Sequence, residues 1–204
     1  AAINAGLAAF DDWQGFTYIN DDDLLLPAFA QIVRQAQTVG ERIVYGGVRL
    51  IDTAGRRIGA IPISPWPSFN RRLYAQRMEP VFQHGTVVTR AVVDRLGGFD
   101  ASLRFCGDSE FLARGCVNQV PFVCATTRPV AAFRLRAGQA TKNLPVMLNE
   151  HHILYAKHRL PADKITWAHR RAWFAFRTAN VPVYLERIAR HGFIRFGEQL
   201  AKVE

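Results

Sequence analysis

The sequence predicts an α/β domain that is followed by a helical C-terminal extension. Short β-branched and aromatic runs alternate with helical patterns through the first part of the chain, which is typical of a layered α/β fold. From Leu144 onward the pattern is helical, with breaks near Pro161 and Pro182. We therefore divide the chain into a region at 1–142 and an extension at 143–204.

The first elements are separated by Gly, Pro and Asp. Ile3 and Leu7 lie four residues apart and predict a helix at 1–9. The aromatic and β-branched run at 16–19 predicts a strand, and Pro27 suits the first turn of a helix at 28–36.

The later elements follow the same alternation of strand and helix. A Gly pair breaks the next β-rich run into two strands, and the turn after them predicts a hairpin. The expected elements are strands at 43–45, 48–51 and 57–61, a helix at 69–76, a strand at 85–89, a helix at 91–96, a short helix from 107, and strands at 121–124 and 130–134.

The composition is that of a globular protein. Hydrophobic residues make up 49% and charged residues 21%, which argues against intrinsic disorder. No apolar run is long enough to predict a membrane-spanning helix. The 3 cysteines form no CxxC pair, so they predict neither a disulfide framework nor a zinc site, and a cytoplasmic location is the simpler expectation.

The net charge of +9 permits an anionic partner but does not choose one. Arginines are concentrated toward the C-terminus, where a solvated basic face is the alternative explanation. No nucleic-acid-binding signature is present, so we expect no nucleic-acid partner.

Four polar residues, Asn20, Asp21, Asp22 and Asp23, follow the first predicted strand. Crowded carboxylates repel one another unless a positive charge lies among them, and Mg²⁺ prefers one or two carboxylates together with phosphate oxygens. One interpretation is therefore a metal–diphosphate site at a strand end, where α/β sheets bind ligands. A solvated turn in which one Asp caps the next helix is the other interpretation, and the spacing of a calcium loop is absent.

Further segments occur in a fixed order along the chain with the acidic run, at 2–6, 18–27, 44–48, 51–55, 83–90, 96–100, 107–114, and 133–136 with Gln139 and Thr141. In this order the segments resemble family-2 glycosyltransferases of the GT-A fold. The resemblance covers about residues 1–142. It implies the C-terminal part of a GT-A fold, the Rossmann-like fold of nucleotide-diphospho-sugar transferases, with the early nucleotide-binding elements expected before Ala1.

The resemblance also implies catalytic and metal-binding roles. Asp22 would be the main ligand of Mg²⁺ or Mn²⁺ in a DxD-like motif, with Asp23 as an alternative ligand and with Asn20 and Asp21 at the donor. Asp108 would be the general base that takes the proton from the acceptor hydroxyl, which then attacks with inversion. From the residues alone, Asp108 also fits a simple helix N-cap.

Further roles follow from the same resemblance. Arg134 and Arg136 lie in a segment that would close over the donor. Some family members carry a histidine at the position of Arg136, whereas arginine binds phosphate rather than metal. Gln83, His84 and Glu110 would contact the acceptor, and Glu110 is also the rival candidate for the base.

The expected function is transfer of a sugar from a nucleotide-sugar, most simply a UDP-sugar, to a glycan or lipid-linked acceptor. The alternatives are a catalytically inactive membrane- or partner-binding domain derived from the same fold, and a metal-dependent phosphohydrolase, whose nucleophilic Asp the acidic run does not provide.

The extension allows two interpretations. Its aromatic residues alternate with arginines, which is compatible with peripheral contact at the inner face of a membrane. Packing on the α/β region or on a second copy of the chain is the other interpretation. The aromatic residues are Trp167, Trp173, Phe174, Phe176, Tyr184, Phe193 and Phe196.

Overall fold

The computed structural model describes residues 2–38, 40–136, 144–160 and 164–192. These residues form a mixed α/β structure. The strands are β1 (Gly15–Phe16), β2 (Leu24–Leu25), β3 (Ile43–Ile51), β4 (Arg57–Ile61), β5 (Thr86–Thr89) and β6 (Phe122–Arg134). The helices are α1 (Ala2–Ala8), α2 (Phe29–Ala36), α3 (Asn70–Tyr74), α4 (Arg90–Leu96), α5 (Gly107–Val117), α6 (Leu144–Lys157), α7 (Trp167–Ala179) and α8 (Val181–His191), with 3-10 turns at Pro67–Phe69 and Gln83–Gly85.

The sheet is mixed, with β3 near its centre. Its order in the described part of the chain is β1-β5-β3-β6-β2, and β4 also pairs with β3. β3 and β6 run parallel, whereas the other pairs are antiparallel. Ile51 lies opposite Arg134, so the carboxyl ends of the two parallel strands meet at one edge of the sheet.

Strand β3 is continuous, and the predicted break at its Gly pair is wrong. The glycines instead allow the backbones of β3 and β6 to lie close together, because a Cβ atom on Gly47 would lie 2.4 Å from the carbonyl oxygen of Thr127. The register between β3 and β6 also shifts at Gly46 and Gly47, so the pair lies where the strands are irregular and close.

Other strand boundaries differ from the predicted ones because they depend on neighbouring strands that are distant in sequence. β1 ends at Phe16, where its pairing with β5 ends, rather than at residue 19. The short β2 was not predicted, and it exists as an edge strand on β6. β6 is one strand, not two, since it follows β3 along its length.

Helices cover both faces of the sheet, as expected for a layered α/β fold. On one face, Ile32 of α2 packs in a cluster with Val44 and Val130. On the other face, Phe111 of α5 and Leu154 of α6 belong to the core that contains Ile43 and Tyr45. The sequence prediction of an α/β class is therefore confirmed.

The C-terminal helices pack on the α/β region. Phe176 of α7 is buried with Leu73 of α3, and Glu186 of α8 binds Arg57 of β4 at 2.6 Å. The break near Pro182 is confirmed, since α7 ends and α8 begins around Asn180. The expected break at Pro161 and the residues Gln139, Thr141, Phe193 and Phe196 lie outside the described residues.

Not every aromatic residue of the extension is buried. Trp167 and Phe174 of α7 are 78% and 65% exposed, so packing on the α/β region accounts for only part of the aromatic content. None of the helices in the described residues has the length and apolar character needed to cross a bilayer.

Candidate active site

The acidic run lies at the carboxyl edge of the parallel strand pair. It occupies the loop between β1 and β2, and Leu24 of β2 pairs with Ala132 near the end of β6. The sequence predicted that the acidic run directly follows a strand at 16–19, whereas in the structure the run lies beside the end of β6. This is still the edge at which open α/β sheets bind ligands.

Asp23 is the centre of a buried hydrogen-bond cluster. Its Oδ2 accepts hydrogen bonds from Nε2 of His84 at 2.7 Å and from Nδ2 of Asn20 at 2.8 Å. Its Oδ1 accepts one from the backbone N–H of Arg134 at 2.8 Å. Burial would raise the pKa of Asp23, but the hydrogen bonds from His84 and Arg134 bring that pKa below its ordinary value.

Two arginines lie against the acidic run. Arg136 pairs with the carboxylate of Asp22, and its side chain is half exposed. Arg134 donates instead to backbone carbonyls, those of Asp22 at 2.7 Å and Asp52 at 2.9 Å. Arg134 therefore ties the loop to the end of β3, and Arg136 is the more accessible cation.

The carboxylates differ in their fit to a divalent cation. The Asp23 side chain has no exposed surface and accepts hydrogen bonds at each oxygen, so it does not fit the predicted role of alternative ligand. Arg136 already pairs with the partly exposed carboxylate of Asp22, and Asp21 is exposed, so these two carboxylates are the more accessible to a hard cation. Within the described ranges, no group of three or more His, Cys, Asp or Glu side chains is arranged around a possible metal ion.

Asp108 and Asn20 line the same cleft, which has a volume of about 470 Å³. Gln83 and His84 also line this cleft, so four of the predicted site residues meet there. Burial raises the pKa of Asp108 above its ordinary value, and the negative charge of Glu79 raises it further. Asp108 is thus a carboxylate with enhanced basicity on the wall of an open cleft.

The 3-10 turn before β5 presents Gln83 and His84. Gln83 donates its side-chain N–H to the carbonyl oxygen of Tyr18, which links this turn to the segment after β1. The His84 ring stacks on Phe82 with a centroid distance of 5.0 Å, and its centroid lies 4.6 Å from that of Phe133. Since Asp23 binds its Nε2, the imidazole is held in one orientation.

Glu110 is not brought to the cleft. Its side chain is fully buried, and its carboxylate binds His158 at 2.7 Å, Arg114 at 3.0 Å and Lys157 at 3.2 Å. Burial would raise the pKa of Glu110, but His158 and Arg114 hold it below its ordinary value. These contacts give Glu110 a structural role in joining α5 to α6, in place of the predicted acceptor contact or rival base.

Sequence reasoning missed a Glu–His pair beside Asp108. Glu79 and His151 line the cleft, with Oε1 of Glu79 2.9 Å from Nε2 of His151. Hydrogen bonds with Cys106 and with Glu79 raise the pKa of His151 to about 10. The sequence showed only an irregular scatter of histidines, because the two partners are 72 residues apart and meet only through the fold.

Tyr18 is the other cleft residue that sequence reasoning did not select. Its ring lies edge-on to Phe99 at a centroid distance of 5.7 Å, and burial, together with the charge of Asp108, raises its phenol pKa. A neutral hydroxyl and a carboxylate therefore share this wall of the cleft. The aromatic run before Asn20 was the sequence feature from which Tyr18 could have been selected.

Comparison of the chain with known proteins adds no assignment to this geometry. No family model matches the sequence, and no curated protein matches it.

Proposed function

We propose that this chain contains the catalytic acceptor half of an inverting, nucleotide-sugar-dependent glycosyltransferase of the GT-A type. The observation that carries the proposal is the shared cleft of Asp108 and Asn20, in which burial raises the pKa of the candidate base. The resemblance of the sequence segments to family-2 enzymes supplies the donor class. The position of the acidic run at the carboxyl edge of β3 and β6 agrees with a nucleotide-diphosphate site there.

In this mechanism, Asp108 takes the proton from an acceptor hydroxyl. The hydroxyl oxygen attacks the anomeric carbon on the face opposite the diphosphate, the bond from that carbon to the diphosphate oxygen breaks, and the configuration inverts. The bonding electrons leave with the nucleoside diphosphate. A base whose pKa lies above the ordinary value of 3.8 holds the transferred proton more strongly.

The leaving diphosphate acquires negative charge, which the protein must offset. Arg136 lies at the edge of the acidic run and can bind phosphate oxygens through its planar guanidinium. Asp22 would hold Mg²⁺ or Mn²⁺, which would supply positive charge at the same place. Asn20 and Asp21 face the donor in this arrangement, and Gln83 and His84 lie on the acceptor side.

The test is release of nucleoside diphosphate by the protein expressed from its complete gene. A panel of nucleotide-sugars, beginning with UDP-sugars, is supplied with Mg²⁺ or Mn²⁺. We expect Asp108→Asn to lower the rate by about 10²–10⁴-fold, because it removes the general base. The matched control is Asp94→Asn, which changes a carboxylate that is 63% exposed on α4 and should leave the rate unchanged.

Equal release by the wild type and Asp108→Asn would contradict the role of Asp108. Absence of release with every donor would favour the alternative, a catalytically inactive membrane- or partner-binding domain.

One observation favours a membrane-binding role, either alone or together with catalysis. Exposed Trp167 and Phe174 lie on α7 with two arginines, Arg170 and Arg171, between them in sequence. Aromatic rings and arginines together suit the interface of a membrane with anionic head groups.

A further inference from the structure

Arg104 lines the cleft that contains Asp108, four residues before it in the chain. It belongs to the segment that leads into α5, and its side chain is exposed. Gln83 and His84 line the same cleft from the 3-10 turn before β5. A cation and the candidate base therefore reach the cleft from the same stretch of chain.

Contacts at the backbone and at the ring of its neighbour hold Arg104 in place. The backbone N–H groups of Arg104 and Phe105 donate to the two carboxylate oxygens of Glu150 at 2.8 and 2.7 Å. The guanidinium carbon of Arg104 lies 5.4 Å from the centroid of the Phe105 ring. A cation–π contact orients a guanidinium but does not use its N–H donors, which lie in the plane of the group.

The guanidinium donors of Arg104 are available to a ligand. Across residues 2–38, 40–136, 144–160 and 164–192, the side chain of Arg104 contacts the Phe105 ring and makes no hydrogen bond or ion pair. Arg114 on α5 differs, because its guanidinium donates to the carbonyl oxygens of Leu96 and Gly98 and pairs with Glu110. Arg104 can thus bind a ligand without first losing a partner in the protein.

The other ionisable side chains that line the cleft are already paired. Each pair joins a carboxylate to a histidine or a lysine at 2.7 to 2.9 Å. The pairs are Glu79 with His151, Asp100 with Lys157, and His84 with Asp23. Within the part of the chain that the structure describes, Arg104 and Asp108 are the two cleft-lining groups that remain outside an ion pair, and they do not pair with each other.

The two unpaired groups favour a ligand with two different polar ends. Asp108 suits a hydroxyl, which can donate a hydrogen bond to a carboxylate. Arg104 suits a phosphate or a carboxylate, whose oxygens match the parallel N–H donors of a guanidinium. An anion is repelled by the carboxylate of Asp108, so the charged end of such a ligand lies at Arg104 and the hydroxyl lies at the base.

We propose that Arg104 binds an anionic group, a phosphate or a carboxylate, on the acceptor whose hydroxyl is presented to Asp108. This inference rests on the proposed function, because it takes the ligand to be the acceptor. It assigns Arg104 to the acceptor and leaves Arg136 to the diphosphate of the donor. A neutral acceptor would leave the Arg104 guanidinium to water, so Arg104 selects acidic acceptors over neutral ones.

The test measures binding by calorimetry to the protein expressed from its complete gene, without donor and without turnover. The probes are glucose 6-phosphate, glucuronate and, as the neutral comparison, glucose. We expect both anions to bind the wild type more tightly than glucose does. Arg104→Gln should lose roughly tenfold or more in affinity for the anions, because charge-assisted hydrogen bonds are lost.

The matched control is Arg170→Gln, which removes the same charge from another exposed arginine that lies outside the cleft. This control should keep the anion affinity of the wild type. Arg104→Lys is a second variant at the site, and it should retain only part of the affinity because lysine lacks the paired donors. Asp108→Asn should keep or raise the affinity, since it removes a negative charge from the same cleft.

Several results would overturn the proposal. They are equal losses in Arg104→Gln and Arg170→Gln, unchanged affinity in Arg104→Gln, and anions that bind the wild type no more tightly than glucose. UDP, used as a fourth probe, separates the acceptor from the donor. If Arg104→Gln weakens UDP as strongly as the anionic sugars, Arg104 binds the diphosphate of the donor and the acceptor assignment is wrong.

The two anionic sugars distinguish the sources of the charge. Tighter binding of glucose 6-phosphate indicates a phosphate-bearing acceptor, whereas tighter binding of glucuronate indicates an acidic sugar. Failure of the proposed function is recognised separately, because anion binding that depends on Arg104 would persist when no donor is turned over. Turnover in which Arg104→Gln leaves the acceptor KM unchanged would overturn the role of Arg104 and leave the proposed function intact.

Discussion

Asp108 and Glu110 lie two positions apart on one helix, and their surroundings shift their pKa values in opposite directions. Burial and Glu79 raise the pKa of Asp108, whereas His158 and Arg114 hold the pKa of Glu110 low despite its burial. An acid that is fully paired cannot leave its partners to accept a substrate proton without exposing buried charges. The environment, rather than the residue type, therefore selects Asp108 as the candidate base.

We predict that the acid limb of the pH–rate profile reports Asp108. The base must be deprotonated, so the rate falls as the pH is lowered through its pKa, which lies above the ordinary value of 3.8. Glu79→Gln removes a neighbouring negative charge, so it should lower this pKa and move the limb to lower pH. The measurement is kcat/KM against pH, and a limb that stays in place in Glu79→Gln contradicts the assignment.

At the scale of single residues, the sequence predicted those whose motif is local. Asp108, Asn20 and the pair Gln83 and His84 were selected because each lies in a short recognisable segment, and the structure places these four residues along one cleft. Glu79 was not found, since its position in the cleft depends on a partner in α6 that no local pattern reveals.

Helix α6 holds the segment that leads into α5. The carboxylate of Glu150 accepts hydrogen bonds from the backbone N–H groups of Arg104, Phe105 and Cys106 at 2.8, 2.7 and 2.8 Å. These residues directly precede the first turn of α5, which carries Asp108. One side chain of α6 therefore fixes the approach to the candidate base.

We predict that Glu150→Gln destabilises the protein near neutral pH by about 1–3 kcal/mol, because hydrogen bonds to a charged acceptor are weakened. Burial would raise the pKa of Glu150, but the three backbone donors lower it below its ordinary value of 4.5. The carboxylate thus stabilises the fold above its unfolded-state pKa, and this contribution is lost as the pH falls through the lowered folded-state pKa. Urea unfolding should show a smaller difference in the free energy of unfolding between the wild type and Glu150→Gln at acidic pH than near neutral pH. An equal difference under the two conditions would refute this account.

Strand β3 depends on its Gly pair. We predict that Gly47→Ala destabilises the protein by about 1–3 kcal/mol or more, because the added Cβ would meet the backbone oxygen of Thr127 at 2.4 Å. Gly6→Ala in α1 is the control, since nothing lies within 4 Å of its added Cβ, and it should be neutral or slightly stabilising. Thermal unfolding of both variants gives the comparison, and an unchanged midpoint for Gly47→Ala would show that the strands can separate without cost.

At the scale of elements, the sequence predicted the existence of most helices and strands, but it did not predict where the paired strands begin and end. A glycine pair ordinarily marks a turn, and only the neighbouring β6 shows that Gly46 and Gly47 continue a strand. The two-residue β2 is defined by its pairing to β6 and has no sequence signal of its own.

At the scale of the whole molecule, the exposed aromatic side chains of α7 face outward from a chain with a net charge of +9. The sequence predicted the α/β class and the helical extension, because hydrophobic periodicity encodes both. It did not predict which aromatic residues are buried, because that depends on how α7 lies on α3: Phe176 is buried there, and Phe174 is 65% exposed.

We predict that the protein binds vesicles that contain anionic phospholipid and that Trp167→Ala/Phe174→Ala removes this binding in a flotation assay. The two rings supply apolar contact at the membrane interface, and neighbouring arginines supply attraction to the head groups, so neutral vesicles should bind less. The control is Phe10→Ala, which removes a ring that is 70% exposed far from α7 in sequence. Undiminished flotation of the double variant would exclude this face as the contact.

The sequence pattern divides the chain at residue 142, but in the structure residues from both sides of that point share one hydrophobic core. Leu154 and Tyr155 complete the main core from beyond that point, and Glu150 binds the segment that leads into the helix of the candidate base. A shortened protein prepared for crystallisation or enzymology should therefore retain α6, because removal of α6 would expose apolar side chains of the core and would also remove the hydrogen bonds that hold the start of α5.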